Sequence, residues 1–429
     1  MKFQIDDACW LGDDGWFHRG TIRIADGRIA KLESDFASDA PGGDEIVVPG
    51  LIDAHVHLRE PGQAYKEGIA NGTAAALKGG VATVLDMPNN RPPIATRELF
   101  EKKRALFAHK ARVNYGLFWQ APDGGEPAPE TAAGAKIYMA QSSSLPAIGD
   151  ADALARIFRV QDLVVVHAED ERRFFHGVEK RFPRCGKLSH HLRRPRTAVL
   201  AALASLEIAL RKTPAKARPR LVLAHCGTVE ELAWVRKMKR AGYDVWAETC
   251  PHYFLLTEED YLRRGAALQV NPPLRSAEDR AAMYEAVRNG GIDFVSTDHA
   301  PHAPAEKAGQ NPPSGIAGIE WLGPILLTLA KRGEITWKRY LELSGQNAAR
   351  CFGIEGRGGI REGAWADLAF VAFDKTAKPA REKVATRAQF RPYAEFDFAA
   401  RVRAMRINGQ AAWSEDRARP GVRGKEVFA

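Results

Sequence analysis

The sequence predicts an α/β chain, a (β/α)8 barrel of the TIM type with a small β-sandwich domain built from both chain ends. Three observations carry that expectation. Eight strand-like runs alternate with helical stretches through the middle of the chain. Several of those runs are near-continuously apolar, the pattern of a parallel sheet buried on both faces. The two ends, by contrast, hold short β-like pieces with hairpin turns and little helix.

In chain order, residues 1–48 contain β-like pieces at 21–24, 28–32 and 45–48, with Asp26-Gly27 as a turn. The barrel strands are expected at 51–57, 81–87, 113–118, 134–138, 163–167, 221–225, 245–249 and 292–298. Helical stretches lie between them. The 198–212 stretch is rich in Ala and Leu, and the amphipathic 229–241 stretch stops before Gly242. From about residue 355 the β pattern returns at 366–373 and 403–407, with Asn408-Gly409 as a turn. The domains expected are thus 1–48 with 355–429 for the sandwich, and 49–354 for the barrel. The stretch after Ser414 is charged, contains Pro and Gly, and is expected to be loosely ordered. No internal repeat interrupts this plan.

Composition narrows the function classes. Of the 429 residues, 45% are hydrophobic and 27% charged, a globular balance that excludes a disordered or fibrous chain. The formal net charge of +9 is carried partly by Arg-rich stretches at 191–196 and 401–406. No recognition helix, zinc finger or RNA-binding motif accompanies them, so they read as solvated surface. A mildly positive field also suits small anionic substrates. Cys9, Cys185, Cys226, Cys250 and Cys351 form no C-x-x-C pair, and an odd count argues against a disulfide framework. Residues 1–10 lack an apolar leader core, and no run approaches the ~18 apolar residues of a membrane span. A soluble, cytoplasmic protein is expected.

The chemistry sits at the ends of the apolar runs. His55 and His57 are two apart on one strand, so both imidazoles face the same side and can reach one ion. His167, His225 and Asp298 end three further runs, where barrel active sites are built. A lone histidine at a strand end is more often structural; five such residues together point to divalent metal, with zinc suiting nitrogen and carboxylate donors. Lys136 lies in the fourth run. An ammonium cannot ligate a cation and is costly to bury. Lys136 is therefore either a snorkelling lysine or one carboxylated by CO2 into an anion able to bridge two metals. Asp298 can hold a metal and also take a proton from an activated water and pass it to a leaving nitrogen.

Longer motifs carry a family resemblance. Residues 49–62, running from Pro49-Gly50-Leu51-Ile52-Asp53-Ala54-His55 to Leu58-Arg59-Glu60-Pro61-Gly62, resemble the signature of dihydroorotases in the amidohydrolase superfamily. Asp86-Met87-Pro88-Asn89-Asn90, Asn271-Pro272-Pro273-Leu274-Arg275 and Ser296-Thr297-Asp298-His299-Ala300-Pro301-His302 are similar to further segments of that family, and residues 359–368 resemble its return into the small sandwich. The resemblance runs from about 45 to 375. It implies that His55, His57 and Asp298 hold one metal, His167 and His225 the other, and carboxylated Lys136 bridges them. It implies reversible opening of dihydroorotate to N-carbamoyl-aspartate, a step of pyrimidine biosynthesis, by a hydroxide between the metals with Asp298 as proton shuttle.

Arg59, two beyond His57, faces the same way and can clamp the substrate's spectator carboxylate bidentately. The alternative is a salt bridge to Glu60 or Glu67. The resemblance places Asn89 and His302 on that carboxylate too, and Asn271 on the ring amide. Some segments depart from the pattern. Glu248-Thr249-Cys250-Pro251-His252-Tyr253 looks more like allantoinases and hydantoinases, and the residues following Ser189-His190-His191-Leu192-Arg193-Arg194-Pro195 are unusual. Residues 303–315 are expected to form a mobile loop over the barrel mouth. Two competing functions stand beside the leading one: an allantoinase- or hydantoinase-like cyclic amide hydrolase, and a non-catalytic scaffold for aspartate transcarbamoylase. The filled ligand positions argue against pure scaffolding, while an active enzyme that also binds such a partner stays open. A homodimer is the expected assembly.

Overall fold

A computed structural model describes residues 2–142, 144–181, 189–373, 383–414 and 416–429. Cys185 lies outside them. Barrel strands form at Leu51–Val56, Val81–Asp86, Asn114–Leu117, Ala135–Tyr138, Leu163–His167, Arg220–Leu223, Val245–Thr249 and Phe294–Val295. The third continues, after a break at Phe118, as Trp119–Gln120, which pairs with the fourth. All these pairings are parallel. A parallel bridge from Val56 to His299 joins the last strand to the first. Inside, Ile52, Ala54, Leu85, Val165, Val222 and Phe294 pack into one cluster with Phe118 and Phe352. Side chains alternate across each strand, so their neighbours Val164, Val166, Leu221 and Leu223 face outward to the helices. Full burial of each such side chain contributes about 1.5–3 kcal/mol.

Every expected barrel strand is present, but two stop early. The runs expected to reach 225 and 298 end at Leu223 and Val295. His225 and Asp298 take positive φ, 42° and 45°, which no strand ladder accommodates. The helices Arg196–Lys212 and Val229–Arg240 match expectation, the second capped by Thr228 and Glu231. No helix among the described residues is long and apolar enough to cross a membrane.

The chain ends share one eight-stranded sheet, ordered 417–418, 410–414, 400–407, 368–373, 45–49, 2–11, 17–25, 28–38. The ends knit together where Glu45–Pro49 lies antiparallel to Leu368–Phe373 and parallel to Lys2–Leu11. Trp10, Ile22, Ile24, Ile29, Val47 and Leu368 fill one face of the sheet. Phe17, Ile46, Val48, Val371 and Val402 fall instead in the barrel's outer core. Gly50 makes the passage from sheet to barrel: its N–H bonds Asp367 O at 2.8 Å, and a Cβ there would meet Ala82 Cβ at 2.4 Å. A buried polar knot secures the joint, with Asp367 accepting from Arg357, Asn114 and Asn408.

The tail departs from expectation. Instead of being loose, it docks on the third barrel strand: Tyr115 N–H donates to Lys425 O and Val427 N–H to Tyr115 O. Arg104 grips Glu426 through two bonds of 2.7 and 2.9 Å. Phe428 packs among the barrel's interior residues, and Gly116 leaves the room its ring occupies. Apolar burial and a paired carboxylate outweigh the tail's polar composition.

Candidate active site

The strand ends open into a cavity of about 750 Å³. His55, His57, Lys136, His167, His225, Asp298, Arg59, Asn89, Asn271 and His302 all line it. A larger cavity of about 950 Å³, between Trp321 and the sheet residue Trp413, is lined by none of them.

Four imidazoles form one group, with ring centroids 5.4 Å apart for His55–His57, 5.4 Å for His55–His225 and 4.9 Å for His167–His225. His55, His57 and Asp298 bring one donor atom each within 4.8 Å of one another. The imidazoles are held in defined tautomers. His55 Nδ1 meets Glu248 Oε1 at 2.8 Å and His57 Nδ1 meets Asn89 Oδ1 at 2.6 Å. A carboxylate and an amide oxygen only accept, so both rings carry Nδ1–H. Their Nε2 atoms then point lone pairs at Asp298 Oδ1, 3.5 Å and 3.0 Å away. His167 follows the opposite arrangement: Nε2 meets Glu169 Oε2 at 3.2 Å and Nδ1 faces His225 Nε2 at 3.1 Å. Burial, then the Lys136 cation, push His55 well below its ordinary value; burial and the neighbouring imidazole of His167 do the same to His225. Neutral imidazoles are the form that ligates a cation.

Lys136 is fully buried, and its Nζ has no hydrogen-bond partner among the described residues. Burial pushes it down to about 8. The snorkelling alternative is ruled out by this position. His225 Nδ1 is likewise buried and unpartnered. Orphaned polar atoms facing a ring of lone pairs are what a metal-binding donor set leaves when described alone.

The other side of the cavity is cationic. Arg59, partly buried, takes φ +66° and donates from Nε to Pro301 O at 3.3 Å. Backbone strain of this kind persists only where the surroundings impose it, and Arg59, His225 and Asp298 share it. Neither expected acid reaches Arg59. Glu60 is taken by Lys110 and the Ile69 N–H, and Glu67 by Asn71 and the Arg387 N–H. Asn89 is largely used, since its Oδ1 serves His57 and one N–H of its amide donates to Ser142 O at 3.4 Å, so one N–H remains for a ligand. Asn271 Oδ1 is buried without a partner among the described residues. His302 Nε2 lies 3.0 Å from Ser314 O. Residues 303–315 include the short helix Pro304–Lys307 and are tied down by Gly315 N–H to Gln269 O at 2.8 Å and Gln269 Nε2 to Pro312 O at 2.9 Å.

Sequence reasoning missed the supporting acids. Asp53 accepts from Thr297 N–H at 3.0 Å and from its hydroxyl, tying the first strand to the last. Glu248 holds His55 and the His225 N–H, and Glu169 holds His167. Two of them stand two residues from a histidine, Asp53 before His55 and Glu169 after His167, a spacing that places them on the same side of the chain and could have flagged them. Arg194, expected on the solvated surface, is buried and grips Glu169. Burial of that carboxylate requires a paired cation, which overrides the local charge pattern.

Comparison with known proteins agrees with this geometry. The amidohydrolase family model matches residues 46–411. A protein named dihydroorotase from Bacillus cereus (strain AH187) is 31% identical over 97% of this chain and all of its own length. Among solved structures, L-hydantoinase (dihydropyrimidinase) from Arthrobacter aurescens superposes with a TM-score of 0.84 at 23% identity, covering 97% of each chain. Dihydropyrimidinase from Brevibacillus agri NCHU1002 gives 0.81 at 21%, covering 97% of this chain and 96% of its own. The structural likenesses speak for the fold, and the family match with the full-length sequence identity goes further: this chain belongs to the amidohydrolase family, as a metal-dependent cyclic amidohydrolase.

Proposed function

We propose that this enzyme is a dihydroorotase, opening dihydroorotate to N-carbamoyl-L-aspartate and closing it again in pyrimidine biosynthesis. One observation carries the choice of substrate: Arg59 lines the cavity with no carboxylate partner among the described residues. A partly buried guanidinium without an acid favours an anionic ligand. Dihydroorotate bears a carboxylate away from its scissile bond; hydantoin and dihydrouracil rings do not. The relatives named dihydroorotase support the same reading.

The donor set fits two divalent ions, zinc by default: His55, His57 and Asp298 would hold one, His167 and His225 the other, and N6-carboxylated Lys136 would serve both. When bound, such ions supply Lewis acidity and a nucleophile at neutral pH. Carboxylation of Lys136 releases one proton to free its amine and a second as the amine adds to CO2, turning a costly buried cation into an anion. Arg59, His302 and the Asn89 amide hold the substrate carboxylate, and Asn271 meets the ring amide. Asp298 takes the proton from the attacking water as the C–O bond forms, then gives it to the ring nitrogen as the C–N bond breaks. Glu248, Asn89 and Glu169 keep the imidazole lone pairs aimed inward throughout.

The fold likeness to hydantoinases favours a second reading, hydrolysis of a cyclic ureide without the carboxylate. Ring opening of dihydroorotate, hydantoin and allantoin, assayed with metal content on one sample, separates the two. Turnover of dihydroorotate alone with about two metals per chain establishes the proposal; loaded protein that opens only another ring overturns the substrate.

A further inference from the structure

Lys66 does not belong to any set considered above, yet it is buried and lines the cavity. Backbone bonds from Gln63 N–H to Arg59 O and from Lys66 N–H to Gln63 O curl residues 59–66, so that Lys66 returns to the cavity mouth. Its Nζ lies 3.1 Å from His302 Nδ1 and 3.0 Å from Glu306 Oε1. Arg59 Nη2 lies 3.2 Å from the other ring nitrogen, Nε2, and Ser314 O lies 3.0 Å from that same atom.

These contacts cannot all be hydrogen bonds. An ammonium and a guanidinium only donate, and a carbonyl only accepts. A neutral imidazole has one lone pair and one N–H, so it can accept from Lys66 or from Arg59, not both. Ser314 O needs an N–H at Nε2, which leaves the lone pair on Nδ1 for Lys66. Arg59 is then a neighbour of His302, not its donor, and spends none of its Nη2 N–H groups on the ring. Burial, Arg59, Lys66 and Lys307 hold His302 down at about 2, against the Ser314 carbonyl and Glu306 Oε2, which lies 3.8 Å from Nδ1.

We propose that Lys66 is a positioning residue: by donating to His302 Nδ1 it fixes the imidazole in its Nε2–H form beside Arg59, so that the N–H bonded to Ser314 O can be shared with the substrate carboxylate as a second donor beside Arg59. This rests on the carboxylate clamp of the dihydroorotase reading. Without Lys66, the ring's most accessible alternative is to accept from Arg59 at Nε2. That form uses up one Arg59 N–H and turns the second donor away. Lys66 also links the clamp to residues 303–315 through Glu306, which accepts in addition from the exposed Tyr65 hydroxyl at 3.2 Å.

The test compares Lys66→Met with Lys66→Gln in the metal-loaded enzyme. Lys66→Met keeps the bulk and removes the donor; Lys66→Gln keeps an N–H that can reach Nδ1 without the charge. Lys66→Met is expected to raise KM for dihydroorotate roughly tenfold with kcat within about twofold, the scale of one lost hydrogen bond. Lys66→Gln is expected to recover most of that loss. Nitrogen NMR of histidine-labelled protein, with the His302 signals identified by their loss in His302→Asn, reads the tautomer without reference to activity. It should report Nε2–H in the parent and in Lys66→Gln, and Nδ1–H in Lys66→Met. An unchanged tautomer or an unchanged KM in folded Lys66→Met overturns the inference. Arg59→Ala tells its failure from that of the clamp. If Arg59→Ala raises KM while Lys66→Met does not, only the role of Lys66 falls; if neither does, the clamp falls with it.

Discussion

The two sides of the cavity are built differently. On the side proposed to hold metal, His55, Lys136 and His167 stand on barrel strands and His225 and Asp298 just beyond them, with Glu248, Glu169 and Asn89 behind the imidazoles. On the side proposed to bind the carboxylate, Arg59, His302 and Asn271 come from loops; Arg59 is held by the Pro301 carbonyl, and His302 by the Ser314 carbonyl and Lys66. Strands fix direction through their period, whereas loops fix it through individual contacts. The first side is suited to chemistry, which tolerates little displacement. The second is suited to recognition, and it is where relatives acting on other rings can differ.

If that division holds, damage to the two sides should read out in different constants. The largest effect is expected at Asp298. Asp298→Ala should cut kcat by at least ~10²–10⁴ while the circular dichroism spectrum is unchanged, since proton transfer contributes on that scale. Near-parent turnover would remove the shuttle from the mechanism. Next comes the support behind the metal side. Glu248→Ala frees the His55 ring and should weaken metal binding by roughly 10–100-fold, read by competition with a chromogenic chelator. Equal affinity would mean that strand geometry alone aims the imidazoles.

On the carboxylate side, Arg59→Ala should raise KM for dihydroorotate by roughly 10–100-fold, the worth of one charge-assisted bond, and alter metal content little. A fall in kcat with KM unchanged would merge the two sides into one. A carboxylate-free ring assayed beside dihydroorotate sharpens the reading, because its KM should not respond to this substitution.

The same division governs what the sequence reveals. His55 and His57 are legible because a two-residue spacing has one geometric meaning on a strand. His167, His225 and Asp298 are legible because they end apolar runs. The positive φ at His225 and Asp298 is not, since no residue type announces it, and so the apolar runs extend past the ends of their two strands. Glu248 and Asp53 looked like parts of motifs, and their bonds to His55 and Thr297 cross between strands more than 190 residues apart. Arg194 and the tail mislead for a common reason: charge and proline describe a segment's solvation, while Glu169 and the third barrel strand determine where these residues go. Lys66 was silent because its partner His302 lies 236 positions away.

The smallest effect expected is also a precise one. His302 is held by the backbone oxygen of Ser314, not by its side chain. The Ser314 hydroxyl oxygen accepts instead from Gln269 Nε2 at 3.2 Å, a contact that steadies the loop from outside the clamp. Ser314→Ala removes that one neutral bond, worth about 0.5–1.5 kcal/mol at most in loop stability, and leaves the carbonyl in place. KM for dihydroorotate should therefore stay within about twofold of the parent, against the far larger rise in Arg59→Ala. Loss of binding in Ser314→Ala would place its hydroxyl on the substrate, and the carboxylate side would then be read by loop side chains where backbone is assigned now. An unchanged KM, with Arg59→Ala impaired, keeps recognition where the contacts put it: on a guanidinium and an imidazole, the latter oriented by Lys66 and the Ser314 carbonyl.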